Sequence, residues 1–118
     1  MRVLGIDPGT TAIGYALIEL RERPILEKAD LFRITSSAPD LRLKELHHSL
    51  SSLITHTSPH LLSVEKLFFA RNVKTAMQVS EARGVILLTA ALSGLTVYEY
   101  TPLEIKKGLT GDGRADKT

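Results

Sequence analysis

Two carboxylates stand out by position. Asp7 follows Val3-Leu4-Gly5-Ile6 and Glu65 follows Leu61-Leu62-Ser63-Val64, so each closes a short apolar run of buried-strand type. In open α/β sheets ligands gather outside the carboxyl ends of strands, where side chains on rigid elements converge. If the two runs are parallel neighbours, the acids lie side by side. Paired carboxylates repel, and they stay ionised most readily around a cation such as Mg²⁺, which prefers oxygen ligands. The plainer alternative is that Asp7 only shapes the Asp7-Pro8-Gly9 turn and Glu65 only ends its strand.

Close behind Glu65 come Phe68 and Phe69, two of the three Phe in the chain, among the cations Lys66, Arg71 and Lys74. Adjacent rings on a regular strand point to opposite faces, so one of them is expected near the surface beside the acid. A ring among cations at a carboxylate cluster is what base stacking against a phosphate channel needs. Packing of both rings into the core is the competing reading. Other chemistries fare worse. Gly111-Asp112-Gly113-Arg114-Ala115-Asp116-Lys117-Thr118 approaches a P-loop, but Asp116 stands where the second Gly belongs and no strand precedes it. Residues 112–116 lack the Gly and Glu positions of an EF-hand. His56 and His60 are separated by the helix-breaking Pro59, His47 and His48 point apart on a helix, and all four His are expected at the surface. No Gly-x-Ser-x-Gly or Cys–His nucleophile is present.

The elements that must carry these residues follow from periodicity and punctuation. Residues 3–6 and 13–20 read as strands forming a hairpin about Asp7-Pro8-Gly9, and residues 25–34 as a third strand. Ser37-Ala38-Pro39-Asp40 is a helix start, with a hydroxyl to cap free N–H groups, Pro in the first turn and an acid at the positive end. Leu43, Leu46, Leu50, Leu53 and Ile54 form its apolar stripe, and Pro59 stops it. After the strand at 61–65, Asn72 caps a long helix reaching about Leu92, apolar nearly all round from Val85. Such a helix must be covered by sheet or by a partner. Gly84 inside it predicts a close backbone approach, and Gly94 is a good C-cap. Residues 97–100 alternate like a strand, and Thr101-Pro102-Leu103-Glu104 opens a short last helix. The order β-β-β-α-β-α-β-α predicts an α/β fold: a mixed five-stranded sheet with helices on both faces.

The chain has 118 residues, which suits one domain, and 43% hydrophobic with 24% charged residues is an ordinary globular composition. With no Cys, disulfides, Cys-ligated zinc and iron–sulfur clusters are excluded. No apolar run approaches the ~20 residues of a membrane span, and the N-terminal stretch is too short for a signal peptide. A soluble, cytoplasmic protein is expected. The net charge of +2 is too small to argue for nucleic acid alone, but all of it lies in residues 61–118, which carry eight basic and six acidic side chains.

Leu4-Gly5-Ile6-Asp7-Pro8-Gly9 with Gly14-Tyr15, then Val64-Glu65 with Phe68-Phe69-Ala70-Arg71-Asn72, resembles the RuvC family of Holliday junction resolvases. So do Glu81-Ala82-Arg83-Gly84, Tyr100-Thr101-Pro102 and Gly113-Arg114-Ala115-Asp116-Lys117. The blocks stand in family order over essentially the whole chain. The resemblance implies a ribonuclease-H-like fold in one domain over residues 1–118. It implies a homodimeric, Mg²⁺-dependent endonuclease, with Mn²⁺ as a substitute, that nicks opposing strands of four-way junction DNA in bacterial recombination and repair. It also implies work alongside the RuvA and RuvB branch-migration proteins.

Asp7 and Glu65 match the family's first two catalytic and metal-binding acids. Phe68 matches the aromatic wedge at the junction's base pairs, with Phe69 beside it. Lys106 and Lys117 match basic residues near the scissile phosphate. Arg71, Lys74 and Arg114 join them as DNA-binding residues on charge and proximity. The family's pattern continues into a helix with two further acidic or acid/His ligands, whereas this sequence stops at Thr118. The expectation is therefore a C-terminally incomplete nuclease domain, with an inactive junction-binding or dimerisation fragment as the alternative. A third reading takes Asp7 to Thr10 as the first phosphate motif of an actin-like or sugar-kinase ATPase. It lacks that class's second phosphate motif and its adenosine motif.

Overall fold

The computed structural model describes residues 1–9, 11–65 and 73–100. Three strands come first: β1 (Arg2–Asp7), β2 (Ala12–Leu20) and β3 (Pro24–Arg33). Helix α1 (Pro39–Thr57), strand β4 (Leu61–Glu65), helix α2 (Val73–Leu92) and strand β5 (Thr96–Tyr100) follow. The sheet order is β3-β2-β1-β4-β5. The meander β1-β2-β3 is antiparallel, while β4 runs parallel to β1 and β5 parallel to β4. The mixed five-stranded sheet expected from the sequence is what forms.

Alternation sorts the strand residues onto two faces. Leu4 and Ile6 register with Leu62 and Val64, and these four are at most 1% exposed. With Ile13 and Leu17 of β2 they form the sheet's contribution to a single core, closed by Leu46, Leu50 and Ile54 of α1 and Ala82, Ile86 and Ala90 of α2. Both described helices thus lie against the same face. The short helix read from residue 101 onward lies outside the described residues.

The start of α1 is settled by different means than the sequence suggested. The N-cap of α1 is Ala38, with no side-chain cap, so the Ser37 hydroxyl does not do what its position promised. Glu45, from within the helix, reaches back instead. Its carboxylate accepts from the backbone N–H groups of Thr35 and Ser36, each at 2.9 Å, and from the Ser36 hydroxyl at 2.9 Å. These donors hold the Glu45 carboxyl down at about 2. At the other end α1 stops at Thr57 with Ser58 in the left-handed region (φ 47°), its N–H returning to the Ile54 carbonyl. Gly94 (φ 76°) terminates α2 as expected, with the Leu95 N–H reaching the Ala90 carbonyl at 3.0 Å.

Two expectations on the helices need correction. Gly84 is exposed, and a Cβ built there meets nothing within 4 Å, so no close approach is made among the described residues. His47 is a half-buried link between α1 and α2 and not a free surface residue. Thr89, fully buried, donates its hydroxyl to the Val85 carbonyl and therefore accepts from His47 Nδ1 at 2.8 Å. His60 is also engaged, its Nδ1 accepting from the Arg2 N–H at 3.0 Å.

Candidate active site

The parallel pairing of β1 and β4 runs from Val3↔Leu61 to Ile6↔Val64, so Asp7 and Glu65 are the next residues of adjoining strands. Neighbouring strands are about 4.8 Å apart, which sets the spacing of the two backbones there. Ile6 and Val64 point into the core, so the acids project from the opposite face. Gly14 confirms the direction: it pairs with Asp7, and a Cβ built on it would stand 3.7 Å from the Asp7 Cβ.

The same face is built from small residues around the pair. Gly5 pairs with Ala16 on one side and Ser63 on the other, one step behind the carboxylates. Ser63 in turn registers with Tyr98, which is 58% exposed. No large side chain of β1 or β2 therefore rises next to Asp7. Gly9 fixes the turn that follows, because any Cβ there would overlap the Ala12 carbonyl oxygen.

Asp7 is exposed and Glu65 half-buried. Among the described residues neither carboxylate has a hydrogen bond or ion pair, in contrast to Glu19, Glu27, Glu45 and Glu99, all of which are engaged. The donor set suits Mg²⁺, a hard cation usually held by one or two carboxylates together with water and substrate phosphate. Among the described residues no third acid, His or Cys joins them in a cluster. Behind the pair, Glu99 of β5, which registers with Val64, is ion-paired to Arg83 of α2.

Lys74 is exposed at the second position of α2. Phe68, Phe69, Arg71, Lys106, Arg114 and Lys117 lie outside the described residues. Sequence reasoning missed the polar groups Arg42, Gln78 and Glu81, which border a cavity between α1, α2 and Gly9. No local signal marks them as a set, since only the α1–α2 packing brings them together.

A family model described as "Crossover junction endodeoxyribonuclease RuvC" matches residues 3–118. A relative of that name from Caldicellulosiruptor saccharolyticus is 46% identical over 121 residues, covering 100% of this chain and 73% of the relative. The structure is similar to that of Thermus thermophilus RuvC in complex with a Holliday junction substrate, with a TM-score of 0.85 at 30% identity over 96% of this chain and 70% of that one. The yeast mitochondrial Holliday junction resolvase Ydc2 shares the fold at a TM-score of 0.72 and 16% identity, over 92% of this chain and 55% of that one. No helix among the described residues is long and apolar enough to cross a membrane.

Proposed function

The chain belongs to the RuvC family of crossover junction endodeoxyribonucleases, and from that premise we propose that Asp7 and Glu65 are the catalytic acids with which it cuts four-way junction DNA. The observation that carries this reading is their juxtaposition: two carboxylates, without partners among the described residues, at adjoining strand ends on the face away from the core. Holding them there costs repulsion, which a cation relieves.

In this reading Asp7 and Glu65 hold Mg²⁺, or Mn²⁺ in its place. When bound, the metal activates water and stabilises charge on the leaving oxygen of the phosphodiester. The paired strands fix the spacing of the two backbones, so the carboxylates already stand side by side when substrate arrives. Gly5, Gly14 and Ser63 leave the space that a nucleic-acid backbone requires. Arg71, Lys74, Lys106, Arg114 and Lys117 contact phosphates, with Lys106 and Lys117 nearest the cut. Phe68 and Phe69 stack on bases where the junction leaves them unpaired.

A homodimer supplies the two symmetric cuts that a junction demands. Its support is the outer face of α2, where Met77 (61%), Leu88 (56%) and Leu92 (70%) are exposed beside Gly84. A glycine with open space above its Cα suits approach by a second helix. RuvA and RuvB are the proposed partners in branch migration, and residues 1–118 belong to a single nuclease domain acting in the cytoplasm.

The test pairs two assays on one substrate. Asp7→Asn and Glu65→Gln should each abolish nicking of a four-way junction in Mg²⁺ while leaving its gel shift nearly unchanged. Equal loss of binding and nicking would mean that the acids hold the fold or the DNA and not the metal. For the dimer, Leu88→Glu should shift sedimentation toward the monomer. An unchanged sedimentation coefficient would place the interface elsewhere.

A further inference from the structure

The two acids are not held alike. Asp7 ends β1, which is paired with β2 on one side and β4 on the other. Glu65 ends β4, whose outer neighbour is β5, an edge strand of the sheet. The β4–β5 ladder runs from Leu61↔Thr96 through Val64↔Glu99 to Glu65↔Tyr100, so the end of β5 flanks the backbone that carries Glu65. An edge strand has a ladder on one side only, and its lie against the sheet depends on what else holds it.

Arg83 of α2 meets β5 at that end. Its Nη2 donates to Glu99 Oε2, an ion pair that crosses from helix to sheet one residue behind Glu65 in register. Glu99 shares the helix side of the sheet with Val64, and Glu65 projects from the other side, so the pair lies beneath the acid and not beside it. The Arg83 side chain is 17% exposed, and its Nε is buried with no hydrogen-bond partner among the described residues. Withdrawing a guanidinium this far from water is costly, and two apolar side chains in the same place are often as stabilising or more so. Stability alone is therefore a poor reason for the pair. What a planar, charged fork adds over hydrocarbon is direction, because it holds its acceptor in one orientation.

We propose that Arg83 and Glu99 are positioning residues for Glu65: by tying the end of β5 to α2 they fix the end of β4, and with it the distance of Glu65 from Asp7. Both act through the backbone of β4 and β5. Arg83 lies apart from the exposed strip of Met77, Gly84 and Leu88, so this role does not call on a second subunit. The inference rests on the reading of Asp7 and Glu65 as a cation-holding pair and adds the support that keeps one half of it in place.

The test separates position from stability. Arg83→Met combined with Glu99→Leu removes both charges and keeps apolar packing, so the urea midpoint should hold or rise. Mn²⁺ affinity, read by electron paramagnetic resonance, should nevertheless fall about tenfold, the low end of what supporting residues of a metal site contribute. On a four-way junction in Mg²⁺, kcat should fall by a similar factor while KM and the gel shift stay within about twofold. Glu99→Gln, which leaves Arg83 unpaired, should lower both the midpoint and the Mn²⁺ affinity. Should the double variant fail to fold, Glu99→Gln carries the test on its folded fraction. Mn²⁺ affinity within about twofold of the natural chain in a folded variant overturns the inference. A midpoint that falls together with the affinity in the double variant makes the pair a fold contact and overturns it as well. The reading beneath is checked in the same titration: Mn²⁺ affinity that Glu65→Gln leaves unchanged strikes that reading first.

Discussion

The two faces of the sheet are built to opposite rules. On the helix side, Leu4, Ile6, Leu62 and Val64 are packed to at most 1% exposure against α1 and α2. On the other, Asp7 and Glu65 stand over Gly5, Gly14, Ala16 and Ser63, with partners among the described residues for neither acid. Each strand contributes to both faces through simple alternation, so one residue decides between a core methyl group and a site carboxylate. The lesson is a division of labour: stability is concentrated on one side, and on the other, where the proposed site lies, two carboxylates stand side by side because the core holds their strands in place.

That comparison can be broken in a graded way. Asp7→Asn should lower junction cleavage by about a thousandfold or more, since ~4 kcal/mol of transition-state stabilisation is a modest share for a metal site. Its unfolding free energy should move by no more than about 0.5 kcal/mol. Leu50→Ala, at a fully buried position of α1, should do the reverse. It should cost about 2–5 kcal/mol in denaturant unfolding while the folded fraction cuts at its normal rate. A large stability loss in Asp7→Asn, or a large rate loss in folded Leu50→Ala, would mean that the faces are not separable.

Smaller effects sharpen the contrast. Thr89→Val keeps the packing but removes the acceptor of His47, so it should cost about 0.5–1.5 kcal/mol and leave cleavage unchanged. The smallest effect is a pH dependence. The Glu45 carboxyl is depressed to about 2 by the donors of Thr35 and Ser36. A depressed carboxyl contributes stability that is full above its unfolded value, 4.5, and is lost as pH falls toward about 2. The melting temperature should therefore drop more steeply between those pH values in the natural chain than in Glu45→Gln. Parallel curves would show that the Glu45 contacts contribute nothing in solution.

Much of the positioning was legible because it is local. Asp7-Pro8-Gly9 announced the first turn, Pro59 and Gly94 the helix ends, and the run ending at Glu65 gave β4 to the residue. The side-by-side placement of the acids was legible only conditionally, because parallel pairing of β1 with β4 joins segments almost sixty residues apart and leaves no local mark. What failed was tertiary. Ser37 looked like a cap, yet Glu45 ties the preceding loop from within the helix. His47 looked solvated, yet Thr89 of another helix accepts from it. Gly84 looked like an approach site, yet among the described residues nothing comes within 4 Å of a Cβ placed there.

The central claim is that Asp7 and Glu65 act as one cation-holding unit, and metal binding tests it without reference to cleavage. Mn²⁺ titrations, read by electron paramagnetic resonance, would compare the natural chain with Asp7→Asn, Glu65→Gln and the double variant. If one ion is shared, each single substitution should weaken binding nearly as far as both together, because the site is already broken. Losses that simply add, or Mn²⁺ affinity untouched by either substitution, would contradict it.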